Sequence, residues 1–356
     1  MSKPFKPMKA VNDEMSFDDI VYPALISVKI DGVYGLNIGG DLLGRSLKSM
    51  KNKWLNEKLG KDVFSGFVGE VVNAKISFDE SEPERLNRQD LCRNTTSHTG
   101  SISKEDWSMS WVLFDYIKDG SFEYCQKPYV DRMTDLIENL DQVVEGIDDG
   151  SCKALNIAGI EYFEFDIDGV SLLIASGHEV NSAEEAEEIY NLALDQGHEG
   201  VILRSVDGVY KFGRATKKSQ EIVRFKPSGD SEIIVTSVEP MFENNNEAKV
   251  NELGYTERSS HKENKVQLEM VGALVGFDVN TKEEVRISAG KMTHEERSTV
   301  WIGRGDYIGR LAKYRSMLTG VKDKPRHARF IGWRNIEDLD ETVVDTAKEL
   351  RIYIKE

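Results

Sequence analysis

Lys29-Ile30-Asp31-Gly32 sets a primary amine two residues from a carboxylate, and four further strings follow in order. They are Gly44-Arg45-Ser46, Gly69-Glu70, Phe114-Asp115 within residues 111–116, and Glu199-Gly200-Val201-Ile202-Leu203-Arg204 with Arg224-Phe225-Lys226 after it. A lysine attacks phosphorus only as the neutral amine, whereas its reference pKa is about 10.4, so its site must supply a base or neighbours that favour the neutral form. Nearby cations and partial burial do this. Arg45, by its type alone, is either a solvent-exposed arginine or a guanidinium able to meet phosphate oxygens bidentately. Glu70 alternates with Val68 and Val72, and Asp31 has a similar setting; an acid on an apolar strand is costly without a partner. The chemistry these residue types fit is group transfer at phosphorus from a lysine nucleophile.

Lys-x-Asp-Gly alone is a weak signal, since composition produces it by chance in roughly one chain in ten of this length. Asp-Gly recurs at Asp119, Asp149, Asp168 and Asp207, but only Asp31 has a lysine two residues before it. The elements that must position these groups are readable. Residues 24–31 alternate Ile26, Val28 and Ile30 against Ser27, Lys29 and Asp31, the period of a half-buried strand that turns at Asp31-Gly32 into 33–38. Residues 42–46, 67–72, 111–117, 201–204 and 222–226 are further strands. In 130–145, Met133, Leu136, Ile137, Leu140 and Val144 follow the helical period. A second helix opens with Ser182 and Glu185 spaced as a capping box, lines up Ala186, Ile189, Tyr190 and Ala193, and stops near Gly197, delivering Glu199 to the next strand. Its run Glu184, Glu185, Glu187, Glu188 reads as a solvated face.

At 356 residues the chain has room for two domains. Residues 227–229 read as a hinge, 244–264 as a polar loop, and 233–238, 267–278, 285–288 and 330–333 as strands of a five-stranded barrel. Val343, Ala347 and Leu350 at helical spacing predict a helix within 336–353 that caps it. No stretch reaches the roughly 20 apolar residues of a membrane helix, and the first residues lack the apolar segment of a signal peptide, so a cytoplasmic location is expected. Cys92, Cys125 and Cys152 form no CxxC or Cys/His array, which leaves no disulfide framework or zinc site.

The net charge of −16 opposes a phosphate-rich partner at first sight. Residues 131–199 hold 18 acids against Arg132 and Lys153, which accounts for the whole excess. Residues 303–334 hold nine bases, among them Arg326 and Arg329, against two acids. A locally basic surface of this kind can bind phosphates, because charges more than about 10 Å away are largely screened.

In order and spacing the five strings resemble the motifs of ATP-dependent DNA ligases, a branch of the covalent nucleotidyltransferases, over about residues 20–334. The likeness is closest to the small phage-type ligases. It implies an α+β fold: a nucleotidyltransferase domain (ATP-grasp-like antiparallel sheets with helices) over 1–227 and an OB-fold with a C-terminal helix over 230–356. It implies that Lys29 attacks the α-phosphate of ATP and carries AMP, and that Asp31, Arg45, Arg224 and Lys226 assist. Ser27 stands where such enzymes contact the adenine edge, although a surface serine reads the same way. Phe114 corresponds to the aromatic that stacks on adenine. Glu70 would bind ribose hydroxyls or metal-bound water, and Glu199 would help hold Mg²⁺ or Mn²⁺. Arg224 stands where lysine is usual, which keeps the charge and alters the geometry.

The expected partner is nicked duplex DNA, bound by a monomer in a phage-infected or bacterial cytosol. Arg88 and Arg93, in the polar stretch 85–101, and Lys211, Arg214, Lys217 and Lys218 are candidate DNA-backbone contacts, with Arg326 and Arg329 from the barrel; a solvated basic loop is the alternative at 211–218. One departure stands out. The ligase pattern places an arginine two residues after the glycine of Lys-x-Asp-Gly, against the nick 5′-phosphate, and this chain has Tyr34 there. Arg45, Arg88 or Arg93 could take over that contact. Three rival readings stay open: an RNA ligase, an mRNA guanylyltransferase, or a nucleic-acid-binding relative without the chemistry.

Overall fold

The strand that carries Lys29 lies in a four-stranded sheet ordered Val223–Phe225, Gly200–Ser205, Ala24–Lys29, Glu179–Val180. A computed structural model describes residues 4–11, 14–74, 90–105, 108–145, 152–175, 177–317, 324–334, 341–352 and 354. The chain divides into two compact units, Met1–Lys226 and Pro227–Glu356, and its class is α+β.

In the first unit the second sheet has seven strands, ordered Asp41–Leu43, Val33–Ile38, Phe67–Val72, Ser110–Tyr116, Val170–Ala175, Ile160–Ile167, Cys152–Ile157. Alternation along its strands gives it two apolar faces. Phe67, Val71, Trp111 and Leu113 pack on one side with Leu55, Leu59, Leu136 and Leu140 from the helices Lys53–Leu59 and Tyr129–Glu145. Leu36, Val68, Val72 and Val112 pack on the other side with Ile26, Val28, Val201 and Leu203 of the four-stranded sheet. Tyr162 joins the two sheets, its hydroxyl accepting from the Val28 amide at 2.9 Å.

The helix Ala183–Asp195 begins where Ser182 accepts from the Glu185 amide, and it buries Ala186, Ile189 and Ala193 while its four glutamates stay exposed. Gly197, at φ +79°, and the His198 amide bonded to the Ala193 carbonyl at 2.8 Å close it. The chain then enters the strand through Gly200. Its φ is +140°, and a Cβ there would lie 2.0 Å from the Phe225 carbonyl oxygen, so only glycine fits between Glu199 and its neighbour strand.

The second unit is a closed barrel ordered Ser228–Asn244, Lys265–Asp278, Glu284–Ser288, Arg326–Trp333, Leu311–Met317, the OB-type arrangement. Ile233, Val235, Leu274, Val285, Ile287, Ala312 and Phe330 fill it. The helix Glu341–Leu350 sets Val343 and Ala347 against Ile234, Val279 and Leu311.

Several expectations change. Ser228 and Gly229, read as a hinge, already pair with Met317 and Ser316 in the barrel. The stretch 244–264 contains the hairpin Ala248–Val250 with Thr256–Arg258; all six of these residues are exposed, so no inward-facing row betrays it in the sequence. Within the loop expected over 85–101, Leu91–Thr99 is a helix, held by buried Leu91 and by Thr95, whose hydroxyl bonds the Leu91 carbonyl at 2.8 Å and accepts from the Asn73 amide at 3.0 Å. Ile137, placed on the apolar face of its helix, is 41% exposed. The acidic stretch hides the strands Cys152–Ile157, Ile160–Ile167 and Val170–Ala175, and the helix His294–Ile302 was not anticipated.

Candidate active site

The register explains why Lys29 and Glu199 meet. Lys29 is paired with Gly200, so the last side chain of one strand lies beside the first group leading into the other. Lys29 Nζ donates to Glu199 Oε2 in a close ion pair, and Lys226 Nζ lies 3.6 Å from Glu199 Oε1. The Glu199 side chain is only 3% exposed, so two ammonium groups compensate one buried carboxylate. Burial pushes the Lys226 ammonium below its usual range; Glu199 opposes this, and Arg224 and Lys29 reinforce it.

Lys29 lines a cavity of about 410 Å³ with Ser27, Tyr34, Arg45, Glu70, Phe114, Tyr162, Arg204 and Arg224. Glu70 faces Tyr34 across one strand pair and Val112 across the next. Burial raises its carboxyl from 4.5 to about 7; Lys29 and Arg45 lower it, and Glu199 and Asp31 raise it. Glu199 and Asp31 thus both lie near enough to act on Glu70, although the described residues hold no cluster of three or more His, Cys, Asp or Glu side chains of metal-binding form. Glu70 and Glu199 are the carboxylates at hand for a divalent cation that takes few protein ligands, although Glu199 here is held by Lys29 and Lys226.

The placement of Phe114 depends on a β-bulge. Gly69 pairs with Leu113 but Val68 with Asp115, so one extra residue is inserted opposite Phe67–Val72. Leu113 and Tyr116 belong to the helix-side core, and the run Val112 to Asp115 lines the cavity, so the consecutive residues Phe114 and Asp115 both reach it. Asp115 is fully buried and held by Arg132 Nε at 2.8 Å, Arg132 Nη2 at 3.1 Å and Arg204 Nη1 at 3.1 Å. The Arg204 guanidinium lies 5.3 Å from the Phe114 ring centre and 4.8 Å from that of Tyr129. Sequence reading assigned no role to Asp115, Arg132, Arg204 or Tyr162. A lone Arg132 in an acidic run was a signal that a buried carboxylate needed it.

The structure therefore brings Ser27, Lys29, Arg45, Glu70, Phe114, Glu199, Arg224 and Lys226 together, with Asp31 near enough to act on Glu70. The candidate nucleic-acid contacts scatter. Arg214 lines the cavity, with Nη1 donating to the Ala10 carbonyl at 2.9 Å. Lys211 pairs with Glu221 at 3.5 Å, Lys217 with Asp19 at 3.0 Å, and Lys218 is exposed. Arg93 pairs with Asp90 at 2.6 Å, and Arg88 lies outside the described residues. Arg326 and Arg329 stand on a barrel strand of the second unit.

The raised Glu70 value has a consequence for stability. Between pH 4.5 and 7 the folded protein keeps a proton on Glu70 that the unfolded chain releases. This contribution is therefore complete below pH 4.5 and is lost as pH rises through 7. Glu70→Gln removes the dependence. It should stabilise the ligand-free protein by on the order of 2 kcal/mol at pH 8, a few degrees in melting temperature, with the gain fading toward pH 5. Thermal melts of both proteins across that range check it; a gain that does not vary with pH contradicts it.

The ATP dependent DNA ligase domain family model matches residues 67–226. No curated protein matches the sequence. Among solved structures the chain is similar to one described as a Lig E DNA ligase with a minimal DNA-binding scaffold (16% identity, 92% of this chain and 99% of that chain, TM-score 0.56). It is similar also to Pmar-Lig (17% identity, 94% and 68%, TM-score 0.57). A Chlorella virus DNA ligase-adenylate shares 24% identity over 94% of this chain and 99% of that chain, with a TM-score of 0.46. The Lig E and Pmar-Lig likenesses concern the fold. No helix among the described residues is long and apolar enough to cross a membrane.

Proposed function

We propose that the chain is an ATP-dependent DNA ligase, a reading supported by the family match over residues 67–226, and that it seals 5′-phosphate/3′-hydroxyl nicks in duplex DNA through an adenylyl group carried on Lys29. The observation that carries this is the Lys29–Glu199–Lys226 ion cluster at the wall of a cavity that also presents Glu70, Arg45 and Phe114. Lys29 Nζ attacks the α-phosphorus of ATP; an N–P bond forms, and the bond to the bridging oxygen of pyrophosphate breaks. The proton that the ammonium must lose has Glu199 Oε2 beside it. The adenylyl group then passes to the 5′-phosphate of the nick, breaking the N–P bond. The 3′-hydroxyl attacks that 5′-phosphate, forms the phosphodiester and expels AMP. Each step is an in-line displacement at phosphorus, in which positioning and charge supply most of the catalysis.

Phe114 would stack on adenine and Ser27 would meet its edge. Arg224 and Lys226 would neutralise the α-phosphate, with Asp31 supporting the lysine site. Glu199 and Glu70 would hold Mg²⁺ or Mn²⁺ together with substrate phosphates, and the ion supplies charge neutralisation at those phosphates. Residues 1–227 would form the adenylation domain and 230–356 the OB-fold that lies along the duplex, with Lys211, Arg214, Lys217 and Lys218 from the first and Arg326 and Arg329 from the second meeting DNA phosphates. The protein would act as a monomer in the cytosol.

The test is a competition. Labelled ATP, and not GTP, should label the protein, and nicked DNA should be sealed in preference to nicked RNA. Labelling by GTP, or sealing of RNA alone, overturns the reading in favour of a guanylyltransferase or an RNA ligase.

A further inference from the structure

Tyr34 and Arg45 form a contact across the cavity wall that none of the roles above requires. Tyr34 is 5% exposed, with its ring 6.3 Å from that of Phe114 and its hydroxyl 3.3 Å from that of Tyr210, which accepts from the Met8 amide at 3.1 Å. The ring is thus held by the Phe114 ring beside it and by Tyr210 at its hydroxyl. Arg45 differs: it is exposed and stands just beyond the three-residue strand Asp41–Leu43. Its guanidinium carbon lies 4.5 Å over the centre of the Tyr34 ring. An exposed arginine has many rotamers to lose when it binds a phosphate, and a fixed aromatic face beneath it removes part of that cost in advance.

The two walls of the cavity carry different cations. Lys29, Arg224 and Lys226 come from the four-stranded sheet or its immediate edge, whereas Arg45 adjoins the seven-stranded sheet. One cluster is enough for the α-phosphate of ATP, which leaves Arg45 for a second phosphate entering from the other side.

Resting on the ligase reading, we propose that Tyr34 is a positioning residue whose ring holds the Arg45 guanidinium over the cavity to receive the terminal 5′-phosphate of the nucleic-acid substrate. The ring supplies the platform, and its hydroxyl only anchors the platform to Tyr210.

The experiment is a double-mutant cycle on the full chain, reading KM for nicked DNA and, separately, the rate of self-adenylylation by labelled ATP. Tyr34→Leu should raise KM for nicked DNA about tenfold, with a smaller effect on adenylylation. Tyr34→Phe keeps the ring and should stay within about threefold of the native protein. Arg45→Ala should cost more than Tyr34→Leu, and the double variant should be no worse than Arg45→Ala alone, because the ring has then nothing to hold. Losses that multiply in the double variant, or a Tyr34→Phe protein as impaired as Tyr34→Leu, overturn the proposal. Should Tyr34→Leu melt early, Arg45→Lys decides: charge without a planar guanidinium should raise the same KM several-fold, and equality with the native protein overturns the proposal. A native protein that never takes up AMP would instead sink the ligase reading itself.

Discussion

Replacing Lys29 by alanine should abolish the AMP adduct on the protein and lower the sealing of nicked DNA by at least about four orders of magnitude. The structure makes this a sharper test than it first looks, because two amines share the carboxylate of Glu199. Burial favours the neutral form of Lys226, which would suit a nucleophile. Lys29, however, lines the cavity on the same strand as Ser27, which assigns the attack to it. Lys29→Arg separates charge from nucleophilicity: it keeps a cation for Glu199 but stays protonated at every working pH, and it should also form no adduct. Lys226→Ala should slow adduct formation and still permit it. Since the last step uses the 3′-hydroxyl as nucleophile, a nick already carrying the adenylyl group should suffer less from Lys29→Ala than an ordinary nick. Intact-mass measurement after incubation with ATP and Mg²⁺, followed by peptide mapping, reads all of this. An adduct on Lys226, or one that survives Lys29→Arg, contradicts the mechanism.

The strings that carry chemistry were legible because they lie on short strands with clean alternation. Ile26 and Val28 point to the core and Ser27 and Lys29 to the cavity, as their spacing indicates. Glu199 was legible for another reason: a helix stop at Gly197 and a glycine at 200 leave it little freedom. What could not be read depends on departures from alternation. The bulge opposite Phe67–Val72 turns Asp115 toward the cavity, whereas strict alternation would send it to the helices. No local pattern announces such an insertion. The strand that contributes Tyr162 lies in the most acidic part of the chain, where Glu161 and Glu164 interrupt the apolar pattern. The partners of Asp115 are 17 and 89 residues away and that of Tyr34 is 176 away, so these contacts are products of the fold rather than of any window of sequence. Net charge misled in the same way: Glu161, Asp166, Glu184, Glu185, Glu187 and Glu188 of the acidic stretch are exposed, and the cavity itself gathers Lys29, Arg45, Arg204 and Arg224.

Asp115→Asn should destabilise the first unit by about 3–5 kcal/mol, because it leaves two buried guanidinium groups without their carboxylate. Arg132 and Arg204 side chains are 1% and 4% exposed, so water cannot take over the charge. Arg132 would keep the Lys127 and Gly208 carbonyls at 2.6 and 2.9 Å, which satisfy its Nη1 but not its charge. Arg204 would keep only aromatic rings within the contacts described, those of Phe114 and Tyr129, and its Nε already has no hydrogen-bond partner among the described residues. The loss should be nearly the same at low and high salt, since ions screen buried pairs far less than surface ones. It should also reach the chemistry. Arg204 backs the Phe114 ring at 5.3 Å, and a guanidinium that shifts toward solvent would enter the volume where the base must stack. Denaturant unfolding at two salt concentrations measures the first effect, and ATP labelling at a temperature where the variant remains folded measures the second. A loss below about 1 kcal/mol, or one that vanishes in high salt, would mean that solvent reaches this triad and that the buried network does not hold the aromatic wall of the site.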